Sequence, residues 1–477
     1  MALKIYNTLS KTKEEFKPLE DNKVRFYYCG PTVYKTQHIG GLRGNFNADS
    51  IRRSLTYLNY KVNFVSNYTD VGHLTGDNIG DADTGEDRME ISARLEMKTP
   101  KEIADVAIED YERDTKELNL LFPTTRCRAT DYIQEMVDMI QILLDKNFAY
   151  QTNLAIYFDV SKAKDYTRLS GQKMEEQIGG AGTGDTTDTE KRNPADFALW
   201  FFKKGKHENA LQTWSSPWGE GFPGWHIECS AMSKKHLGDT MDIHMGGKEH
   251  ISIHHTNEIA QSESANGVNF VNYWVHNEHL VVDNKKMSKS IGNVVMLKDI
   301  KEKGFDPLAL RYFFLQAHYR SGQNFTWEAL DSAQKGLINL YEQVASLGNK
   351  VGETNKEYKN KFTEKIEDDF NTPQALAVVS ELLKSDLPNE NKLATILDFD
   401  KVLGLNLSKA KEKIPQEISI EELSPEIQNL IKERQTARDN KDYQKSDELR
   451  ASIIDKGYEV KDTPEGQKVF KKLTADS

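Results

Sequence analysis

The chain has 477 residues, and its 63 Lys and Arg against 74 Asp and Glu give a formal net charge of -11. This acidic balance excludes a protein that coats nucleic acid non-specifically, although it leaves room for a local basic surface that meets nucleic acid. No run of about 18 or more apolar residues occurs, and the first residues lack the basic-then-apolar order of a signal peptide, so we expect a cytoplasmic protein without a membrane span.

The first predicted elements form a βαβ unit. Residues 24–29 are rich in β-forming side chains, residues 45–59 carry apolar side chains at helical spacing, and residues 61–66 alternate as a second strand. A strand, a helix and a strand in this order predict a parallel α/β sheet for the first half of the chain. Ligands of such sheets bind beyond the carboxyl ends of the strands, where Cys29 and Thr69 fall.

The middle and the end of the chain have different patterns. Residues 177–189 contain glycines among Thr and Asp, and we predict a surface loop there, with a lid over the ligand site as the alternative. From residue 308 onward the apolar residues recur at helical spacing. A connector near residues 408–422 then precedes a small C-terminal unit.

The turn after the first predicted strand is rich in small residues. It contains Gly-Pro-Thr-Val-Tyr at residues 30–34 and, four residues later, His38, Ile39, Gly40 and Gly41. Small residues let the backbone approach a phosphate, a helix N-terminus offers free N–H groups, and a histidine donates to phosphate oxygens. Such turns are common in βαβ folds, so this one indicates a phosphate site only in combination with other motifs.

A basic pentapeptide, Lys-Met-Ser-Lys-Ser, lies much further along the chain at residues 286–290. Two cations on a short loop can neutralise the charge that develops on a phosphate during its transfer. The alternative is a solvated basic loop. The His-Ile-Gly turn upstream makes that alternative the weaker one.

Cysteine, histidine and glutamate form a third group. The three cysteines of the chain, at positions 29, 127 and 229, are too few and too scattered for a disulfide framework. His254 and Glu258 are four residues apart, so on a helix they share one face and can bind one ion. Thiolate together with imidazole suits zinc. Taken alone, this pattern fits buried, inert thiols better than a metal site.

In this order, the three groups resemble those of the cysteinyl-tRNA synthetases, which are class I aminoacyl-tRNA synthetases with a Rossmann-type α/β catalytic domain. The resemblance extends over nearly the whole chain. It is most specific in Cys-Gly-Pro-Thr-Val-Tyr at residues 29–34 and in Gly-Trp-His-Ile-Glu-Cys-Ser-Ala-Met at residues 224–232. It implies that L-cysteine is activated with ATP, with release of pyrophosphate, and transferred to the 3′ end of tRNA-Cys. It also implies a monomer.

The resemblance implies one Zn²⁺ per chain, held by Cys29, Cys229, His254 and Glu258. This zinc would bind the substrate through its sulfur, because a metal lowers the pKa of a thiol and bonds the thiolate strongly, whereas a serine hydroxyl is a far poorer ligand. Shape alone discriminates poorly between two nearly isosteric side chains. No family role is assigned to Cys127, which we expect to be a buried structural thiol.

The resemblance also implies an ATP site, with Mg²⁺ on the triphosphate. The residues that it places there are His38, Gly40, Gly41, Glu249, Lys286 and Lys289. The histidine and the two lysines would position the reacting groups and stabilise charge, and no side-chain nucleophile is needed. Glu249 stands where the family usually has an Asp that hydrogen-bonds the ribose.

Two further residues, Thr69 and Trp225, match family positions in the amino-acid pocket. For Trp225, ordinary core packing explains its presence equally well. Gly41 departs from the family pattern, which has His or sometimes Asn at that position, and Gly offers no donor. This and other departures place the chain in a divergent bacterial-type subgroup.

The resemblance implies three domains. We predict a catalytic domain over residues 1–307, with an inserted connective region at about 115–215, a helical domain that contacts the tRNA stem over 308–418, and a small anticodon-binding domain over 419–477. Residues 426–477 carry 11 Lys and Arg and 11 Asp and Glu, so this end is neutral in an acidic chain.

Two other functions remain open from the sequence. One is a ligase of the mycothiol pathway that joins cysteine to an amino sugar, but such enzymes lack the C-terminal tRNA-reading domain. The other is a non-catalytic paralogue that binds tRNA or adenylate. Only Gly41 supports the latter, and the retained motifs weigh against it.

Overall fold

The structure is a computed structural model, and it describes residues 2–74, 86–172, 188–287, 292–414, 417–463 and 466–471. The predicted loop or lid at 177–189 therefore lies outside the described residues except for its last two positions, and so does Lys289. None of the helices in the described ranges is long and apolar enough to cross a membrane.

The strands of the described ranges are β1 Lys4–Asn7, β2 Thr12–Glu15, β3 Lys23–Tyr28, β4 Lys61–Tyr68, β5 Thr125–Arg128, β6 Ala149–Gln151, β7 Ala155–Phe158, β8 Phe197–Phe202, β9 Gly221–Pro223, β10 Met241–Gly247, β11 Val271–Asn277, β12 Leu280–Val282, β13 Lys285–Lys286, β14 Gln323–Phe325, β15 Glu417–Ile418, β16 Tyr458–Thr463 and β17 Gly466–Lys471. The α-helices are α1 Ile39–Tyr57, α2 Arg88–Glu96, α3 Pro100–Glu117, α4 Ile133–Asp145, α5 Trp225–Leu237, α6 His254–Asn266, α7 Leu297–Glu302, α8 Pro307–Leu315, α9 Trp327–Ser346, α10 Lys356–Glu367, α11 Thr372–Lys384, α12 Asn389–Leu403, α13 Pro425–Asp439 and α14 Tyr443–Asp455.

Five strands form the central sheet in the order β11-β10-β3-β4-β5, and all neighbouring pairs are parallel. This confirms the predicted parallel α/β sheet. Phe26 and Tyr27 of β3 are both fully buried although they face opposite sides, as expected for a sheet that is covered on both faces. The strand order reverses between β3 and β10, so a crevice forms there beyond the carboxyl ends of the strands.

Helix α1 begins at Ile39, so the predicted start near residue 45 was wrong. His38 caps this helix, because its Nδ1 accepts hydrogen bonds from the backbone N–H groups of Gly40 at 3.1 Å and of Gly41 at 3.3 Å. Histidine is not among the usual N-cap residues, and glycines disfavour a helix interior, so sequence patterns place the start too late. The first turn of α1 lies next to the crevice.

A second, antiparallel sheet has the order β6-β7-β8-β9. Trp200 of β8 is fully buried in the same core as Ile140 of α4. Strand β9 ends at Pro223, and α5 starts two residues later at Trp225. The edge of this sheet therefore fixes where α5 begins and places Cys229 in its first turns.

The helices from α8 to α12 share one apolar core with α1. Phe362 and Phe399 stack with ring centroids 4.0 Å apart, and Phe46 of α1 meets Phe314 of α8 at 5.4 Å. At the end of the chain, α13, α14 and the sheet β15-β17-β16 enclose a separate small core. The C-terminal unit therefore has packing of its own.

Candidate active site and metal centre

A cavity of about 370 Å³ opens beside the switch point of the central sheet. Its lining joins the three motifs, which are far apart in the sequence. The predicted site residues that line it are Cys29, His38, Gly40, Gly41, Thr69, Trp225, Cys229, Glu249, His254 and Lys286. Glu258 is buried and is not among the residues that line the cavity. Lys289 is outside the described part of the chain.

The four predicted metal ligands converge at one end of the cavity. Their ligand atoms all lie within 4.8 Å of one another, and all four residues are buried. Sγ of Cys29 is 3.8 Å from Sγ of Cys229 and 3.7 Å from Oε1 of Glu258, and Nε2 of His254 is 3.0 Å from that same oxygen. The residues come from the end of β3, from α5 and from the first two turns of α6.

The chemistry of this cluster fits a metal cation. Burial raises the pKa of Glu258 and that of Cys29 well above their usual values, which means that the charged forms lack compensation from the protein. Oε2 of Glu258 is buried and makes no hydrogen bond to any of the described residues. A divalent cation would compensate the carboxylate and hold both thiols as thiolates. Two thiolates, an imidazole and a carboxylate suit zinc.

Two histidines that were not among the predicted site residues also contact this cluster. Nε2 of His244 lies 3.2 Å from Sγ of Cys29, and Nε2 of His255 lies 3.4 Å from it. With Cys29 and Glu258 they form a second set of four residues that could hold an ion. His255 follows the predicted ligand His254 directly. His244 lies inside β10, and its spacing from the predicted ligands in the sequence does not indicate a metal site.

Trp225 forms a wall of the cavity and is 8% exposed. Its ring stacks on His254 with centroids 4.1 Å apart and on His73 with centroids 4.3 Å apart. The tryptophan therefore packs against a predicted metal ligand and also faces the cavity. His73 was not among the predicted site residues, although it lies just after the carboxyl end of β4, which is where ligands of such sheets bind.

Thr69 lines the same end of the cavity, and its hydroxyl is engaged in hydrogen bonds. Oγ1 donates to Oε2 of Glu228 at 3.0 Å and accepts from Nδ2 of Asn67, also at 3.0 Å. This arrangement fixes the threonine at the edge of the cavity. A polar substrate group that binds there meets an oriented side chain.

The other end of the cavity is built on the first turn of α1. Burial lowers the pKa of His38, so its ring is neutral near pH 7. Because Nδ1 accepts from the two backbone N–H groups of the cap, the proton of the neutral ring is assigned to Nε2, which is then the donor. The helix N-terminus and this N–H together favour an anion.

The start of the basic pentapeptide and Glu249 also lie near the N-terminus of α1. Met287 Cε lies 2.5 Å from the place where a Cβ on Gly40 would stand, so the start of the basic pentapeptide covers the glycine turn. Lys286 is exposed and lines the cavity. Glu249 also lines it, and its Oε2 is 3.6 Å from Nδ1 of His279. The cation of Lys286 and the carboxylate of Glu249 therefore lie in the same cavity as the N-terminus of α1.

Three family models match the chain. The model for the "tRNA synthetases class I (C) catalytic domain" matches residues 15–335, the "DALR domain" matches 361–386, and the "Cysteinyl-tRNA ligase anticodon binding domain" matches 421–469. These matches follow the same order as the sheet, the helical region and the small C-terminal unit of the structure.

Relatives of known name match over almost their whole length. The cysteine–tRNA ligase 1 of Burkholderia lata is 42% identical over 476 residues, which is 98% of this chain and 97% of the relative. The cysteine–tRNA ligase of Treponema denticola is 41% identical over 500 residues, or 99% of this chain and 100% of the relative. That of Chlorobaculum tepidum is 39% identical and covers 99% of both chains.

Solved structures share the fold at low sequence identity. A Mycobacterium tuberculosis methionyl-tRNA synthetase in complex with methionyl-adenylate has a TM-score of 0.53 at 15% identity, covering 81% of this chain and 91% of the other. A ternary LeuRS–tRNA–LeuAMS complex from Agrobacterium radiobacter K84 has a TM-score of 0.57 at 11% identity, covering 83% and 85%. From the family models and the relatives together, this chain belongs to the cysteine–tRNA ligases, a family of class I aminoacyl-tRNA synthetases.

Proposed function

We propose that this protein is a cysteine–tRNA ligase. It activates L-cysteine with ATP to cysteinyl-adenylate, releases pyrophosphate and transfers the cysteinyl group to the 3′ end of tRNA-Cys. The observation that carries this proposal is the shape of one cavity. A thiol-rich cluster forms one end of it, and the N-terminus of α1 with His38 and Lys286 forms the other.

Cys29, Cys229, His254 and Glu258 would hold Zn²⁺. When bound, the zinc supplies a strong thiolate-binding position and so favours cysteine over serine. The side chains around the cluster give the amino acid a defined place. Trp225 limits the width of the pocket by its stacking on His254, and Thr69 provides an oriented hydroxyl.

The nucleotide would occupy the other end of the cavity, with Mg²⁺ on its triphosphate. His38 donates through Nε2–H to a phosphate oxygen, and the dipole of α1 favours an anion at this helix end. Lys286 and Lys289 neutralise charge as pyrophosphate leaves. Glu249 accepts from the ribose. The carboxylate of cysteine can then attack the α-phosphate in line, because both substrates share one cavity.

We also infer the roles of the domains. Residues 1–307 carry the adenylation site, residues 308–418 contact the tRNA stem, and residues 419–477 read the anticodon. The match of the anticodon-binding family model to 421–469 supports the last assignment. A monomer in the cytoplasm stays a prediction.

The deciding experiment measures cysteine-dependent exchange between ATP and labelled pyrophosphate, and then charging of tRNA-Cys, with and without a zinc chelator. We expect exchange and charging with zinc-loaded protein, and loss of both after chelation. Exchange without charging, together with transfer to an amino sugar, would favour the mycothiol-type ligase. Absence of exchange by metal-replete protein would favour a non-catalytic role.

A further inference from the structure

The guanidinium of Arg43 lies in the interior of the protein and joins two separate segments of the backbone. Arg43 follows the glycine turn on α1 and is 1% exposed. Nη1 donates to the carbonyl oxygen of Glu278 at 2.6 Å and to that of His279 at 3.3 Å. Nη2 donates to the carbonyl oxygen of Ser321 at 2.7 Å and to that of His318 at 3.4 Å. One side chain therefore holds four carbonyl groups.

Carbonyl dipoles, and no carboxylate, surround this buried cation. Among the described residues, none of the ion pairs includes Arg43, whereas the buried Arg53 and Arg311 both bind Asp49. Burial lowers the pKa of Arg43 to about 10, so its guanidinium is charged at neutral pH. A buried charge is costly unless polar groups compensate it. Moving these carbonyl groups away would remove that compensation, so the four contacts resist displacement of the two segments.

The two segments lead into the small sheet that contains Lys286. Residues 278–279 directly precede β12, and residues 318–321 precede β14. Strand β12 pairs in parallel with β14 and antiparallel with β13, where Lys286 lies opposite Val281. Val281 is only two residues beyond the segment that Arg43 holds. Arg43 therefore fixes the starts of both strands that support this lysine.

The place of Lys286 in the cavity depends on the backbone that carries it. The lysine is exposed, lines the cavity and makes no ion pair with any of the described residues. Its ammonium group is therefore not held by a partner side chain. Since β13 is only two residues long, its position follows from β12, with which it pairs. A change in the anchoring of β12 is thus transmitted to the ammonium group of Lys286.

We propose that Arg43 is a positioning residue for adenylate formation, because its guanidinium anchors the strands that place Lys286 beside the phosphates of ATP. The proposal rests on the proposed function, in which Lys286 neutralises charge as pyrophosphate leaves. Arg43 is not among the residues that line the cavity, so it acts through the backbone and not by contact with substrate. Its effect belongs to the reaction step, where the charge on the phosphates develops.

The first test changes the reach of the side chain and keeps its charge. In Arg43→Lys the ammonium group cannot span both segments, because it lacks the planar fork of a guanidinium. We expect the kcat of cysteine-dependent pyrophosphate exchange to fall by about 10- to 100-fold, as for a displacement of roughly 1 Å in an active site, while the KM for cysteine stays unchanged. Arg434→Lys is the matched control, since Arg434 is equally buried but lies in the C-terminal unit, and it should change neither constant.

A double-mutant cycle shows whether Arg43 acts through Lys286. Once the ammonium group is removed, its position no longer matters. In the Lys286→Ala protein, Arg43→Lys should therefore lower the single-turnover rate of adenylate formation by less than about 3-fold. A loss of the same factor with and without Lys286 would overturn the proposal and leave Arg43 as a residue of general structural importance.

Amide hydrogen–deuterium exchange tests the anchoring without any reaction. We expect faster amide exchange in residues 278–287 and 318–325 of Arg43→Lys, and no change in the C-terminal unit. If melting curves show that Arg43→Lys is not folded, Arg43→Met replaces it, since methionine fills space without a buried charge. Unchanged amide exchange in these segments of the folded variant would overturn the proposal.

The two readouts also separate this proposal from the proposed function. A wild-type protein that shows no cysteine-dependent pyrophosphate exchange would refute the proposed function. Faster amide exchange at residues 278–287 in Arg43→Lys would then still support the anchoring of Lys286 by Arg43. Normal activity of the wild type, combined with full activity of the folded Arg43→Lys, would refute the positioning role alone.

Discussion

Nη2 of Arg311 lies 2.9 Å from Oδ2 of Asp49, and this buried ion pair joins helix α8 to helix α1. Nε of Arg53, one turn further along α1, lies 2.9 Å from the same carboxylate oxygen. Burial lowers the pKa of Arg311 to about 10, so the guanidinium stays charged at neutral pH. The network therefore fixes the position of α1, whose first turn borders the cavity.

The first prediction concerns this ion pair. In Asp49→Asn the charged Arg311 stays buried without its carboxylate, so the free energy of unfolding should fall by about 3–5 kcal/mol. Urea denaturation measures the change. The control is Asp331→Asn, which removes an exposed partner of Lys335 and should cost only about 0–1 kcal/mol. Equal losses in the two variants would contradict a special role for the buried pair.

Sequence patterns predicted the parallel sheet and the candidate metal cluster for different reasons. Strands and helices follow from local periodicity, and the cluster follows from short, specific strings around Cys29 and Cys229. The pair of Arg311 and Asp49 could not be predicted, because 262 positions separate the two residues and neither belongs to such a string. The contact between His244 and Cys29 depends in the same way on packing that only the folded chain shows.

The second prediction concerns Asp87, the N-cap of α2, which accepts from the backbone N–H of Met89 at 2.7 Å. Burial raises its pKa to about 7. The folded state therefore holds a proton that the unfolded state has lost above pH 4. The free energy of unfolding therefore falls as the pH rises from the unfolded pKa of 3.8 to the folded pKa of about 7, by about 1.4 kcal/mol for each unit of pKa difference.

Asp87→Asn keeps the cap and cannot ionise. We expect its stability relative to the wild type to increase between pH 5 and pH 8, by roughly 2–4 kcal/mol in total. Denaturation midpoints over this range measure the trend. The same change at the exposed N-cap Asp442 is the control for the loss of a carboxylate at a helix start. A parallel pH dependence of wild type and Asp87→Asn would refute the assignment.

The third prediction distinguishes the function of the C-terminal unit from that of the active-site cavity. Arg434 is buried on α13 and contacts both carboxylate oxygens of Asp462 at 2.9 Å. Arg434→Met should loosen the C-terminal unit and reduce charging of tRNA-Cys, while cysteine-dependent pyrophosphate exchange stays at the wild-type level. Lys432→Met, at an exposed position of the same helix, is the control. A matching fall in exchange would show that the effect spreads beyond this unit.

The fourth prediction compares Cys229 and Cys127, two of the three buried cysteines, because their surroundings differ. Cys229 belongs to the candidate metal cluster, whereas Cys127 is equally buried, with 1% exposure, but belongs to neither set of candidate ligands. A serine hydroxyl is a far poorer zinc ligand than a thiolate. Cys229→Ser should therefore lose bound zinc and the preference for cysteine over serine, and Cys127→Ser should keep both.

Metal content by elemental analysis and pyrophosphate exchange with each amino acid give the two readouts for this comparison. Loss in both variants would mean that any polar substitution in this core disturbs the fold, and melting curves would then show it. If Cys229→Ser retained both its zinc and its preference for cysteine, the assignment of a zinc site to this cluster would be wrong. Loss confined to Cys229→Ser ties selectivity to the cluster itself, because the two substitutions are chemically identical and equally buried.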